Sequence, residues 1–173
     1  MKRSLLGCVV ALGMSLAFGL APDAGAQSMR HPKTGESAMV LDLPVGWTAQ
    51  YNVRGHVEYY SADLTRCINF AMMVNERYAS KSLVEIAAAN LKEDGLPPYT
   101  HTQDGSIAGR AGEAFLSTVS YGDQKSVSTL LILVRLSPST VASLARVTRE
   151  GLTAAQEAEI DDAIRRIRFA GVK

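Results

Sequence analysis

Apolar positions along this chain fall into two periods. Residues 38–43 form an apolar run stopped by Pro44, which predicts a strand. Residues 48–53 and 56–61 alternate apolar with polar and predict two more strands, joined by a turn at Arg54-Gly55. Residues 67–74 are apolar on both faces, as a central strand requires. The period then lengthens. Ser82 and Glu85 form a capping box, and Leu83, Ile86, Ala87 and Leu91 recur on one helical face. Gly95 and Pro97-Pro98 stop that helix. Strands resume at 100–107, 113–121 and 125–136, with Gly122-Asp123-Gln124 closing a hairpin between the last two. Residues 140–148 predict an eighth strand, although Ala142 and Ala145 also fit a helix. A second capping box, Thr153 with Gln156, opens a helix striped by Ile160, Ala163, Ile164 and Ile167. Its acids (Glu157, Glu159, Asp161, Asp162) come early and its arginines (Arg165, Arg166, Arg168) late, the order a helix dipole favours. The sum is an α+β domain: an antiparallel sheet of seven or eight strands packed with two main helices. Trp47, Phe70, Ile132, Ile160, Ile164 and Phe169 are expected to be buried together.

The N-terminus follows neither period. Met1-Lys2-Arg3 precedes an apolar stretch over 5–20, broken by Ala21-Pro22-Asp23 and followed by Ala24-Gly25-Ala26. A basic start, an apolar centre and an Ala-x-Ala end predict a secretory signal peptide over 1–26, cleaved before Gln27. The run is shorter than the roughly 20 residues of a spanning helix, and it contains Gly7, Gly13 and Gly19. Cys8 stands at the head of the apolar run, which sets aside a lipid-attachment role. Lys2-Arg3 is only a charged start, not a twin-arginine signal. The expected location is the periplasm or the exterior, with no transmembrane span after cleavage. Residues 27–37, polar with Pro32 and Gly35, read as a flexible lead to a single domain over 38–173.

Cleavage changes the charge and the cysteine count. It leaves 147 of 173 residues, with 16 basic and 16 acidic side chains. A neutral exported domain has no electrostatic claim on nucleic acid. Cys67 becomes the lone cysteine, in an apolar strand. Burial in the core is the expected state; pairing into a homodimer through Cys67 is the alternative.

Four chemical signatures are missing: Gly-x-Ser-x-Gly, His-Glu-x-x-His, Cys-x-x-Cys and the P-loop. Gly109-Arg110-Ala111-Gly112 reads as a turn between strands. His31, His56 and His101 have no acid or thiol at ligand spacing, so neither a metal nor a cofactor is expected. One cluster stands out. Tyr51, Arg54, His56, Glu58 and Tyr60, with Tyr59 beside them, crowd into ten residues of a chain that is 6% aromatic. With Val57 and Tyr59 turned to the core, strand alternation puts His56, Glu58 and Tyr60 in one outward row. Such a row is either the ordinary solvent face of an edge hairpin or a protein-contact patch, since Tyr, Arg and His are favoured at interfaces.

Three sequence pieces resemble a known family. They are Leu41-Asp-Leu-Pro44-Val-Gly46-Trp47 at a strand end, Ile107-Ala-Gly109-Arg-Ala-Gly112 before a hairpin strand, and Ile164-Arg-Arg-Ile167-Arg-Phe169 closing the last helix. Over 38–170 the chain is similar to the PsbP-like superfamily, which includes DcrB-type and LpqN-type bacterial envelope proteins. The resemblance implies a non-enzymatic accessory or binding module contacting another envelope protein. It transfers no functional residue, because the matching positions are architectural. The alternative is a small periplasmic hydrolase or metal-dependent enzyme whose site assembles only in three dimensions, with His56 or His101 near a carboxylate or Ser.

Overall fold

The computed structural model describes residues 28–42, 45–120 and 125–172. The expected signal peptide and the tip of the 122–124 hairpin lie outside the described residues. Among the described residues, ten strands and two helices follow in chain order: β1 (Ser28–His31), β2 (Ala38–Asp42), β3 (Thr48–Tyr51), β4 (Val57–Tyr60), β5 (Arg66–Val74), α1 (Leu83–Glu93), β6 (Thr100–Ile107), β7 (Arg110–Val119), β8 (Val127–Ser137), β9 (Thr140–Arg149), α2 (Ala154–Arg165) and β10 (Arg168–Ala170). A short 3-10 turn, Glu76–Ser80, leads into α1. Among the described residues, no helix is long and apolar enough to cross a membrane.

Seven strands form one antiparallel sheet in the order β3-β4-β5-β9-β8-β7-β6, and β1-β2-β10 form a smaller one. The α+β expectation holds, with the ladder turning at its hairpins. The β6–β7 turn needs positive φ at both central positions, supplied by Ala108 (φ 50°) and Gly109 (φ 78°). Gly112 has a different reason: a Cβ there would lie 2.1 Å from the Leu133 carbonyl oxygen. These are the glycines of the Gly-x-x-Gly run, and the strand-turn-strand reading of it stands.

The large sheet is buried on both faces. On one, Met39, Leu41, Trp47, Val57, Tyr59, Phe70, Leu144 and Ile160 make the main core against the small sheet and α2. Ile132, Ile164 and Phe169 pack at its margin, half-buried, so all six expected core residues share one cluster. On the other face, Leu83, Ile86, Ala87 and Leu91 of α1 meet Phe115, Leu131 and Leu133. Both capping boxes form: Ser82 with Glu85, and Thr153 with Gln156. Arg66, 5% exposed, reaches up from β5 to α2, where it pairs with Glu159 and donates to the Gln156 carbonyl. The Trp47 Nε1–H donates to the same Glu159 at 2.6 Å. Trp47 thus closes one end of the core and anchors α2 there.

Two expectations change. The lead over 27–37 is not loose throughout: Ser28–His31 pairs with β2 as β1. Arg168–Ala170, read as the tail of the last helix, is a strand on the other side of β2. The eighth strand expected over 140–148 is β9, and the helical alternative drops out because β9 is the sheet's centre and pairs β5 and β8 along its length. Cys67 is fully buried, with Tyr60, Val127 and Val147, as the core reading expected.

Candidate functional site

The residues singled out between 51 and 60 occupy one hairpin, and the structure divides them by depth. The turn is built by Asn52. Its N–H donates to the His56 carbonyl at 2.9 Å, and its own carbonyl accepts from the Gly55 N–H at 2.8 Å. Its side-chain Oδ1 accepts from the N–H groups of Arg54 and His56, at 2.9 and 3.1 Å. An Asn side chain that mimics backbone in this way fixes a tight turn. The tip it holds presents Val53, 85% exposed. Arg54 extends to Glu93 at the end of α1, 2.7 Å away.

Behind the tip the polar groups converge from distant parts of the chain. The Tyr51 hydroxyl donates to the Arg30 carbonyl at 2.9 Å, and Lys33 Nζ sits 3.8 Å above the Tyr51 ring. His31 and His56 meet edge to face with ring centroids 5.5 Å apart. His31 Nδ1 accepts the Met72 N–H at 2.9 Å, so its proton is carried on Nε2. That tautomer leaves His31 no lone pair for a metal. Burial, the facing His31 and the nearby Arg54 push the His56 pKa down to about 4; burial lowers His31 as well.

Glu58 and Tyr60 are not in an outward row. Val57 and Tyr59 face the main core as expected, and Glu58 and Tyr60 face the other way, yet both are buried at 2% and 7% exposure. The reason is that the opposite face of β4 is also packed. Glu58 there accepts hydrogen bonds from Tyr60 Oη (2.7 Å), Asn52 Nδ2 (3.0 Å), Gln50 Nε2 (3.2 Å) and Asn69 Nδ2 (3.4 Å). Burial and the Glu58 charge raise the Tyr60 pKa far above its ordinary value. This cluster ties the turn residue Asn52 to strands β3, β4 and β5, and so stiffens the hairpin from behind. Tyr51, Arg54 and His56 therefore sit near the surface, and Glu58 and Tyr60 support them. Residue pattern did not point to Val53 and Lys33 and weighed His31 only as a metal ligand; an Asn just before a turn is the local signal that could have marked the tip as fixed.

His101 is elsewhere, on β6, stacked on Phe115 (4.9 Å, 11°) with Nε2 2.6 Å from Glu113. Glu113 borders a cavity of about 650 Å³ also lined by Lys81, Ser82, Arg135 and Ser137. Arg135 there donates to the carbonyls of Tyr78, Pro138 and Lys81, tethering the turn before α1. The Ser82 hydroxyl is engaged with Glu85 in the cap. Among the described residues, no hydroxyl bonds the second nitrogen of His101, and no group of three or more His, Cys, Asp or Glu could hold a metal ion.

No protein-family model and no curated protein sequence matches the chain. Solved structures do. LpqN of Mycobacterium tuberculosis, described as involved in cell envelope biogenesis, superposes with a TM-score of 0.53 at 14% identity, over 86% of this chain and 93% of that one. The Saccharomyces cerevisiae Ran-binding protein Mog1p gives 0.50 at 13% identity, over 84% and 96%. The fold is thus PsbP-like, of the LpqN type.

Proposed function

We propose that this chain is an exported accessory module of the bacterial envelope that works by contacting another envelope protein, and that the contact surface is the β3–β4 hairpin end. The carrying observation is Val53, held 85% exposed at the tip of a turn that Asn52 fixes from both sides. A rigid, exposed apolar side chain is a suitable anchor, because docking it costs little conformational entropy. Tyr51, Arg54, His56 and Lys33 surround it with the aromatic and cationic groups that interfaces favour. Glu58 and Tyr60 belong to the site as its internal support.

Export is supported by the tripartite N-terminus. The envelope role is supported by the fold shared with LpqN, and protein binding by the fold shared with a Ran-binding protein. Neither likeness carries a partner across, because one fold serves many functions. No cofactor is invoked. The test has two readings. Mass analysis of protein from a periplasmic extract should give an N-terminus at Gln27 within a residue or two. Capture from the envelope fraction should enrich a partner that Val53→Asp loses. An intact Met1 on cytoplasmic protein would remove the export half, and equal capture by Val53→Asp the contact half.

One observation favours a second reading, a hydrolytic site at the α1 end: the 2.6 Å pairing of His101 with Glu113 beside the cavity. Labelling by a fluorophosphonate probe that disappears in His101→Ala would support it; absence of labelling removes it.

A further inference from the structure

The large sheet has two open edges, and they are built differently. β6 is the longer, but its pairing with β7 shifts register between Thr102 and Gly105, with Asp104 inside the break. Bulges and charges are how natural sheets refuse a stray strand. β3, on the opposite edge, has neither. Thr48-Ala49-Gln50-Tyr51 is uncharged, contains no proline, and pairs with β4 without interruption. Exposed valines stand at both ends of it, Val45 at 101% and Val53 at 85%. The small sheet's own edge strands, by contrast, carry Arg30 and Arg168.

The backbone groups free on that edge follow from the hairpin. The Asn52 N–H to His56 carbonyl bond makes 52 and 56 a hydrogen-bonded pair. Such pairs alternate in an antiparallel ladder, so Gln50 with Glu58 and Thr48 with Tyr60 are bonded pairs too. Ala49 and Tyr51 must then turn their N–H and C=O groups away from β4. Among the described residues, no hydrogen bond from elsewhere in the chain reaches those groups. Ala49 and Tyr51 thus offer two donors and two acceptors spaced for an incoming strand.

We infer that the partner supplies an extended segment that joins the sheet at β3, bonded to the main chain of Ala49 and Tyr51, with its alternate apolar side chains on Val45 and Val53. This rests on the hairpin end being the contact surface, and names how that contact is made. Main-chain bonds give such strand additions their affinity and alternate side chains their specificity. Charge narrows the occupant further. Lys33 lies over Tyr51, and Arg54 is 30% exposed in a surface pair with Glu93 that costs little to exchange. The segment that fits therefore carries Asp or Glu near the Tyr51 end.

The probe is a phage-displayed library of random decapeptides, panned on the exported protein. Recovered peptides should alternate apolar with polar residues and include an acid near one end. Binding should slow amide exchange at Ala49 and Tyr51 and leave Thr48 and Gln50, already bonded to β4, unchanged. Ala49→Pro removes one outward N–H, and an edge strand accepts proline where the N–H faces solvent. It should weaken the peptides at least tenfold with the melting temperature unchanged. Should Ala49→Pro misfold, peptides N-methylated at single amides serve instead: binding should fall at alternate amides only. No recovered peptide, or peptides that protect neither Ala49 nor Tyr51, overturns the inference. If envelope capture is lost in Val53→Asp but kept in a folded Ala49→Pro, strand addition fails and the accessory reading survives. If both variants capture normally, both fail.

Discussion

Acid should loosen this protein before its carboxylates titrate, through the histidine pair. His31 accepts the Met72 N–H on Nδ1, and protonation there abolishes that bond. The new charge would face His56, with Arg54 nearby and, among the described residues, no acid in hydrogen-bond contact with either ring. The pKa of His56 is down at about 4 and that of His31 is lowered from 6.5, so between those values the unfolded chain binds more protons than the folded one. Stability then rises with pH across that window and is lost as pH falls from about 6.5 towards 4. Each pH unit of separation is worth about 1.4 kcal/mol, giving a ceiling of roughly 3 kcal/mol for His56. Water screening of a ring that is not fully buried reduces this to roughly 1–2 kcal/mol. The depressed carboxylates, Asp42, Asp63 and Glu85, act in a separate range, because their contribution is lost only below about pH 4. Urea unfolding of a chain starting at Gln27 at pH 7.5, 5.5 and 4.5 separates the two. The wild type should lose about 1–2 kcal/mol more between the extremes than the double variant His31→Gln, His56→Gln, whose amide at 31 can still accept the Met72 N–H. Parallel stability curves for the two proteins would refute the reasoning.

Other consequences of the packing are equally direct. Ile160 is fully buried under α2 and Ile164 half-buried, so Ile160→Ala should cost about 2–5 kcal/mol in urea unfolding and Ile164→Ala clearly less. Gly112→Ala drives a Cβ against the Leu133 carbonyl, and should lower the melting temperature more than Gly55→Ala in the exposed turn, whose penalty is conformational alone. Tyr60→Ala removes a buried ring and a donor to Glu58, and should destabilise by about 3–5 kcal/mol rather than act on binding alone; an unchanged melting temperature would put Tyr60 outside the packed face.

What the chain disclosed and what it withheld divide along sequence distance. Both capping boxes are signals three residues long, and the structure realises both. The apolar run of β5 declared a central strand because burial on two faces leaves no room for alternation. Strands β1 and β10 escaped notice because three or four residues carry little period, and the strand they pair with, β2, is remote from one of them in sequence. At Glu58 and Tyr60 alternation correctly assigned the face and not its depth. A carboxylate with four donors around it sits as well in a packed layer as at a surface, and three of those donors, Gln50, Asn52 and Asn69, read as ordinary polar residues. The same holds for His31, which reaches His56 only once β1 lies against β4 and β5. Arg66, just ahead of the run read as a strand over 67–74, carried no signal of its own and is the buried tie between β5, Trp47 and α2.

The claim that the β3–β4 hairpin end meets another envelope protein is tested most directly by site-specific photo-crosslinking in living cells. A benzophenone side chain at Val53 should yield one dominant protein adduct in the envelope fraction. The same group at Leu116, 44% exposed on β7 at the far side of the sheet, should yield little or none. A dominant adduct from Leu116 with none from Val53 would contradict the account.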